Sequence, residues 1–151
     1  MNRSEPGQNR KIAALRIFRA CHKQSPAFFF VNAPFLNLRQ NPCRESKVTS
    51  QVIYSEAVEI LSVHDNWFHI QTEDGYVGWV GTDSESFITQ QESFTDIACV
   101  SRAAAHIYHV KDTEFGPILT LPLDSCLALV NYESSDVDSR WLEVRLLDGR
   151  L

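Results

Sequence analysis

The sequence predicts an all-β protein made of two small barrels in tandem. Residues 67–80 contain two strand-like runs joined by an Asp-Gly pair, the strongest short signal for a β-hairpin. Trp67 and Trp141 each precede such an Asp-Gly pair by the same short interval. A repeat of about 70 residues in a short chain indicates two copies of one small domain.

The first strand of the hairpin alternates between apolar and polar faces. Phe68 and Ile70 lie on one side, and Trp67, His69 and Gln71 lie on the other. A period of two is typical of a half-buried antiparallel strand.

Two glycines in this hairpin have predictable tasks. Gly75 can adopt the positive φ that a tight turn demands. Gly78 lies inside the second strand, where a missing side chain indicates that another backbone or a ligand comes close.

The other elements follow from strand patterns and turn signals. Strands are predicted in chain order at 28–31, 35–38, 48–54, 57–63, from 67 and from 76, with a loop at 39–46 and a helical turn at 83–86. We therefore expect a basic, poorly ordered tail (1–27), a first domain (28–88), a linker (89–96) and a second domain (97–151).

The second copy has a longer internal loop than the first but ends earlier. Residues 105–108 align with 36–39, and the extra residues form an acidic loop at 133–139. Arg150 and Leu151 align with Tyr76 and Val77, so we expect the second barrel to lack its closing strand and the chain to be the front part of a longer protein. A barrel without that strand exposes an unpaired edge.

Composition and charge exclude some classes of function. With 44% hydrophobic and 22% charged residues the chain has a globular composition. Its net charge of -5 argues against nucleic acid as the main partner. No segment is long and apolar enough to span a membrane, and no cofactor motif is present.

The basic start leaves three interpretations open. Arg16 and Arg19 interrupt the apolar run of a secretory signal. A disordered tail, an organelle transit peptide, or a membrane-surface helix with Ile12, Leu15 and Phe18 on one face remain.

The four cysteines have no C-x-x-C spacing, and they predict neither a metal site nor a disulfide framework. Cys99 and Cys126 lie in apolar runs, so we expect small core residues. This usage favours a reducing compartment and a cytoplasmic location, with the cell envelope as the alternative.

The first copy resembles the bacterial SH3-like domain. The residues that carry the resemblance are 36–39, Pro42, 58–61, 67–70 and 74–80. A tandem pair of this kind resembles the N-terminal half of NlpC/p60-type cysteine endopeptidases. The recycling members of that family cut the bond between γ-D-glutamate and diaminopimelate in peptidoglycan peptides, and residues 45–51 and 74–76 are similar to their first domain.

That resemblance implies a role for the first domain as a wall of the substrate cleft that recognises the free amino group of a terminal L-alanine. Tyr76 matches the tyrosine of the family's Asp-Gly-Tyr motif. The acidic residue expected after Pro42 appears as Lys47, with Glu45 two positions earlier, and a lysine there repels an ammonium group.

Catalytic residues are not expected in this chain. None of its cysteines stands in the Asp-Cys-Ser motif of the family's nucleophile. His106 and His109 point to opposite faces of a strand, which argues against a shared metal ion.

The candidate ligand-binding residues are Trp67, Trp79, Tyr76 and Glu45. An aromatic side chain on the polar side of a strand can stack on a peptide or sugar, or it can cover an open side of the barrel.

Two functions are expected. In the first, the chain binds and positions a peptidoglycan-derived peptide for a downstream catalytic domain. In the second, it is a free-standing module that binds a cell-wall or protein peptide without chemistry.

Overall fold

The computed structural model of the protein describes the backbone of residues 15–19 and all atoms of residues 29–81, 86–89, 96–130 and 141–151. This part of the chain is all-β, as predicted. Its strands are β1 (Leu15–Arg19), β2 (Phe29–Val31), β3 (Phe35–Arg39), β4 (Val48–Ile53), β5 (Ala57–His64), β6 (Trp67–Thr72), β7 (Val77–Gly81), β8 (Phe87–Thr89), β9 (Asp96–Val100), β10 (Ala104–Ile107), β11 (Leu119–Pro122), β12 (Cys126–Leu129) and β13 (Val144–Arg145).

Most of the predicted helical turn, the centre of the predicted linker and the acidic loop lie outside the described residues. So does the predicted tail apart from residues 15–19, which form β1 and pair with β9. Among the residues that are described, no helix is long and apolar enough to cross a membrane.

The first unit, residues 29–89, forms one seven-stranded antiparallel sheet in the order β4-β3-β7-β6-β5-β2-β8. Each of its strands contributes one buried residue to a single core, namely Val31, Leu38, Val52, Val58, Ile70, Val80 and Phe87. Since the two edge strands share this core with the central ones, the sheet curls around it, as in a small barrel.

The β6–β7 hairpin has the turn that its sequence predicts. Gly75 has a φ of 90°, its N–H donates to the Thr72 carbonyl at 3.0 Å, and the Thr72 N–H donates to the Tyr76 carbonyl at 2.9 Å. This is a three-residue loop in which the glycine takes the left-handed position. The prediction for Gly75 is therefore confirmed.

The second unit, residues 96–151, forms a four-stranded sheet with β1, in the order β1-β9-β12-β13, and a two-stranded sheet of β10 and β11. Its buried core consists of Val100, Ala105, Leu121, Leu127 and Leu146, together with Tyr54 of the first unit.

Hydrogen bonds of the first unit recur in the second at nearly constant offsets. The Ser55 N–H donates to the Val31 carbonyl at 2.9 Å, and the Asp124 N–H donates to the Val100 carbonyl at 2.9 Å. The interval from Val31 to Val100 equals the interval from Ser55 to Asp124, and we call this interval the repeat offset. Ser55 and Asp124 also have the same positive φ of 68°.

The second hairpin repeats the first at a slightly longer offset. The Gly149 N–H donates to the Leu146 carbonyl at 3.0 Å, as the Gly75 N–H does to the Thr72 carbonyl. The interval from Gly75 to Gly149, the hairpin offset, exceeds the repeat offset because the sequence from Leu127 to Trp141 is longer than the sequence from Val58 to Trp67.

The turn between β4 and β5 joins the two units. Tyr54 is only 2% exposed, and its hydroxyl accepts a hydrogen bond from the Leu147 N–H at 2.6 Å. The Cys126 N–H donates to the Ser55 hydroxyl at 2.8 Å. Burial raises the pKa of Tyr54 to about 12. A side chain of one unit thus completes the core of the other.

Cys99 and Cys126 form a disulfide, so the prediction that they are separate core thiols was wrong. The two residues are direct partners on β9 and β12, with their Cα atoms 4.1 Å apart. Facing positions on antiparallel strands bring the Cβ atoms within reach of a disulfide. Cys43 is exposed with a free thiol.

Candidate binding face

Two of the candidate residues, Trp67 and Trp79, lie on the outer face of the β6–β7 hairpin. Ile70 is buried and Phe68 packs against the core, so these two face inward as predicted. Trp67 and His69 occupy the other face of β6, and Trp79 occupies the same face of β7; all three are half-buried. Aromatic rings therefore gather on one side of two hydrogen-bonded strands.

His69 and Trp79 are stacked on each other. They are direct partners across β6 and β7, and their ring centroids lie 4.5 Å apart with an interplanar angle of 15°. Cross-strand aromatic pairs of this kind stabilise a sheet and hold both rings in one orientation. Trp79 is thus positioned by a neighbour.

The indole of Trp67 lies over Gly81, its partner on β7. A Cβ at Gly81 would come within 2.8 Å of two indole atoms of Trp67, Cη2 and Cζ3. The ring can cover this point only because residue 81 has no side chain. One side of the indole rests on backbone, close to the stacked pair.

Gly78 permits the close approach of β3, as its position predicted. A Cβ at this residue would lie 2.7 Å from Cγ of Leu38 and 2.9 Å from the Arg39 carbonyl oxygen. The approach brings Arg39 directly opposite Trp79. A guanidinium-bearing residue thereby joins the aromatic face.

The loop after β3, residues 40–47, is held by hydrogen bonds at its base. The Arg39 guanidinium donates to the Ser46 carbonyl at 2.7 Å, and the Gln40 N–H donates to the Lys47 carbonyl at 3.0 Å. Glu45 is exposed on this loop. Because β3 and β7 are antiparallel and Arg39 faces Trp79, the loop extends toward the β7 end where Tyr76 lies.

Tyr76 stands at the hairpin turn with 56% of its surface exposed. Its backbone N–H donates to the Thr72 hydroxyl at 3.0 Å, which fixes the backbone and leaves the phenol at the surface. The structure thus brings Trp67 and Trp79 together on one face. Tyr76 and Glu45 lie at one end of the same sheet, and Trp67 lies at the other end of β6.

Two residues of this face were missed in the sequence, His69 as a ring partner and Arg39 as a neighbour of Trp79. The sequence places His69 on the polar side of its strand, beside Trp67, but does not indicate a ring partner. A two-residue Asp-Gly turn would place Ile70 opposite Trp79, whereas the observed three-residue loop places His69 there. The Asp-Gly pair alone therefore did not reveal this partner.

Across the described ranges of the chain, no three His, Cys, Asp or Glu residues are grouped so as to hold a metal ion. The face offers stacking surface and a guanidinium group, and the exposed Tyr76 phenol lies at the hairpin turn.

Residues 34–88 match the family model of the bacterial SH3 domain. The matched residues include β3 to β7, and with them the whole aromatic face and the loop that carries Glu45. No curated protein matches the chain.

Proposed function

We propose that the chain is a non-catalytic module that binds a cell-wall peptide and positions it for an NlpC/p60-type endopeptidase that cuts γ-D-glutamyl-diaminopimelate. The bacterial SH3 match at residues 34–88 supports a binding module. The observation that carries the proposal is the aromatic face, where the Trp67 indole covers Gly81 beside the stacked rings of His69 and Trp79.

The loop at residues 40–47 supports a ligand with carboxylates. Arg39 at its base and Arg44 and Lys47 within it supply three positive charges, against one negative charge on Glu45. A peptide that contains γ-D-glutamate and diaminopimelate carries several carboxylates, which cations attract. In this proposal Glu45 receives an ammonium group of the ligand and the Tyr76 phenol donates a hydrogen bond to a carboxylate beside it.

We further propose that residues 97–151 are a second SH3-like domain. The recurring backbone hydrogen bonds support this assignment. So do the core positions, since Val100, Leu121 and Leu127 follow Val31, Val52 and Val58 at the repeat offset.

The Cys99–Cys126 disulfide favours the cell envelope over the cytoplasm as the compartment of this module, because disulfides persist in oxidising environments. Alkylation of free thiols in intact cells would then label Cys43 and spare Cys99 and Cys126. Labelling of Cys99 and Cys126 as well would place the chain in a reducing compartment.

Calorimetry with the peptide L-Ala-γ-D-Glu-diaminopimelate tests the binding proposal. We expect Trp67→Ala and Trp79→Ala each to remove about 2 kcal/mol of binding free energy, or roughly 30-fold in Kd, as anchoring aromatic residues do. Phe115→Ala is the matched control, since this ring is 84% exposed and lies in the second unit.

Two results would contradict the proposal: no heat of binding with this peptide, or equal affinities of the unchanged chain and Trp67→Ala. Tight binding of a proline-rich peptide instead would favour a protein-binding module. The chain itself should not hydrolyse the peptide, whereas a parent protein with an Asp-Cys-Ser motif should.

A further inference from the structure

A hydrogen-bonded polar pair occurs at the same place on the outer strands of both units. In the first unit the Gln51 amide donates to the Asn37 side-chain oxygen at 2.9 Å. At the repeat offset in the second unit, the His106 Nδ1 and the Thr120 hydroxyl are 2.9 Å apart. The chemistry differs, but the two surfaces are built on the same backbone positions.

Aromatic rings stand beside this polar pair in the second unit too. Tyr108 follows Arg39 at the repeat offset, and Trp141 follows Trp67 at the hairpin offset. The rings of Tyr108 and Trp141 meet edge to face at 5.4 Å and 87°. The His106 ring meets Tyr108 edge to face at 6.4 Å and 74°.

The rings of His106, Tyr108 and Trp141 form an aromatic corner, in which neighbouring rings are nearly perpendicular to each other. Tyr108 and Trp141 are half-buried, and His106 is exposed. An aromatic corner with an imidazole and a phenol beside it offers both stacking and hydrogen bonding, the combination that marks amphipathic ligand sites.

The two faces are held in a fixed relation. Tyr54 of the first unit lies within the core of the second, and Ser55 accepts a hydrogen bond from the backbone of Cys126 at 2.8 Å. The separation of the two faces is therefore constant, and a polymer whose neighbouring peptides match that separation binds both faces with a gain in avidity.

We propose that His106, Tyr108 and Trp141 form a second binding face, and that the chain binds two peptides of one polymer at once. The ligand is a polymer that displays, at repeated positions, peptides with the γ-D-glutamate and diaminopimelate carboxylates of the proposed ligand, and the inference rests on the proposed function. Soluble single peptides occupy the faces one by one, whereas the polymer bridges them.

The test uses the full chain with two probes, soluble L-Ala-γ-D-Glu-diaminopimelate and purified peptidoglycan sacculi. Calorimetry should count two peptides per chain, and one per chain in Trp141→Ala or His106→Ala. Sedimentation with sacculi should show binding weakened by about 10-fold or more in both variants, because avidity is lost. His109→Ala, at an exposed residue, is the matched control and should behave as the unchanged chain.

Circular dichroism shows whether Trp141→Ala stays folded, and His106→Ala tests the same face at an exposed residue. One peptide per chain, with sacculus binding unaltered in both variants, overturns the second face and leaves the proposed function standing. Absence of binding of either probe to the unchanged chain overturns both.

Discussion

Two buried hydroxyl groups of this protein have opposite environments. Thr72, 6% exposed, uses its hydroxyl to accept from the Tyr76 N–H at 3.0 Å and to donate to the Asp74 carboxylate. Ser125 is fully buried, and its hydroxyl has no hydrogen-bond partner among the residues that the structure describes. Burying a hydroxyl without a partner costs free energy, whereas a bonded hydroxyl is stabilised.

We therefore predict that Ser125→Ala raises the free energy of unfolding by about 1 kcal/mol. Thr72→Val keeps the side-chain shape and should lower it by about 1 to 3 kcal/mol, because the Tyr76 N–H and the Asp74 carboxylate lose their partner. Urea denaturation of both variants measures the difference. Equal destabilisation by the two changes would show that the Ser125 hydroxyl is satisfied in solution.

Two glycines of β7 differ in what surrounds them. Gly78→Ala should cost about 1 to 3 kcal/mol of stability, because the new methyl group meets the Arg39 backbone.

In Gly81→Ala the new methyl group meets the indole of Trp67 instead, and this side chain can shift. We expect this second variant to stay within about 1 kcal/mol of the unchanged chain and, under the proposed function, to lose affinity for L-Ala-γ-D-Glu-diaminopimelate. Calorimetry and urea denaturation separate the two effects, and full affinity in Gly81→Ala would argue against a binding role for the Trp67 ring.

Among the elements, the hairpins were the easiest to predict from the sequence. The Asp-Gly pair predicts the turn, and the period of two along the strand predicts the inward position of Ile70 and the outward position of Trp67. The strands at 35–38 and 57–63 also agree with the structure to within one residue, because local alternation determines them.

The disulfide was missed because local residue patterns do not show which distant strands pair. The pairing of the first unit nevertheless accounts for it. Phe30 and Ala57 are partners on β2 and β5, and Cys99 and Cys126 follow them at the repeat offset. The repeat offset therefore places the two thiols face to face once the pairing of β2 with β5 is known from the structure.

This disulfide should contribute substantially to stability. Its cysteines are separated by 27 positions, and closing a loop of that length stabilises a protein by about 3 to 4 kcal/mol through the unfolded chain. We predict that Cys99→Ala combined with Cys126→Ala lowers the free energy of unfolding by roughly this amount. Cys43→Ser should leave it unchanged. A double variant as stable as Cys43→Ser would contradict the pairing.

At the scale of the whole molecule, the joint at Tyr54 determines how the two units relate. The sequence placed Tyr54 at the end of a predicted strand, and that assignment could not reveal its partner. The burial of this side chain depends on a neighbouring unit whose position is set by long-range packing. For the same reason, the sequence identified Trp67 and Trp79 as candidate residues but did not show that Tyr54 joins their unit to the unit that carries Trp141.

Tyr54 also predicts a pH dependence of stability. Its pKa is raised by burial to about 12, above the ordinary value near 10, so the folded protein holds the phenolic proton more tightly than the unfolded chain. This contribution is complete below about pH 10 and is lost as the pH rises from about 10 to about 12, with a total of roughly 2 to 3 kcal/mol.

Urea denaturation across this alkaline range measures the loss, and Tyr54→Phe is the control because it has no group to titrate. At neutral pH the variant should be less stable by about 1 to 3 kcal/mol, since the Leu147 N–H loses its acceptor. Parallel pH profiles for the variant and the unchanged chain would show that the Tyr54 hydroxyl is not buried.

The tyrosine that crosses between the halves also constrains how the gene can change. A recombination event that deleted or exchanged one of the two units would leave a hole as large as a phenol ring in residues 96–151, or would expose the same ring on residues 29–89. We therefore expect the two units to be inherited together. Substitutions that reshape the socket around Leu127 and Leu146 should accordingly be found together with substitutions at Tyr54.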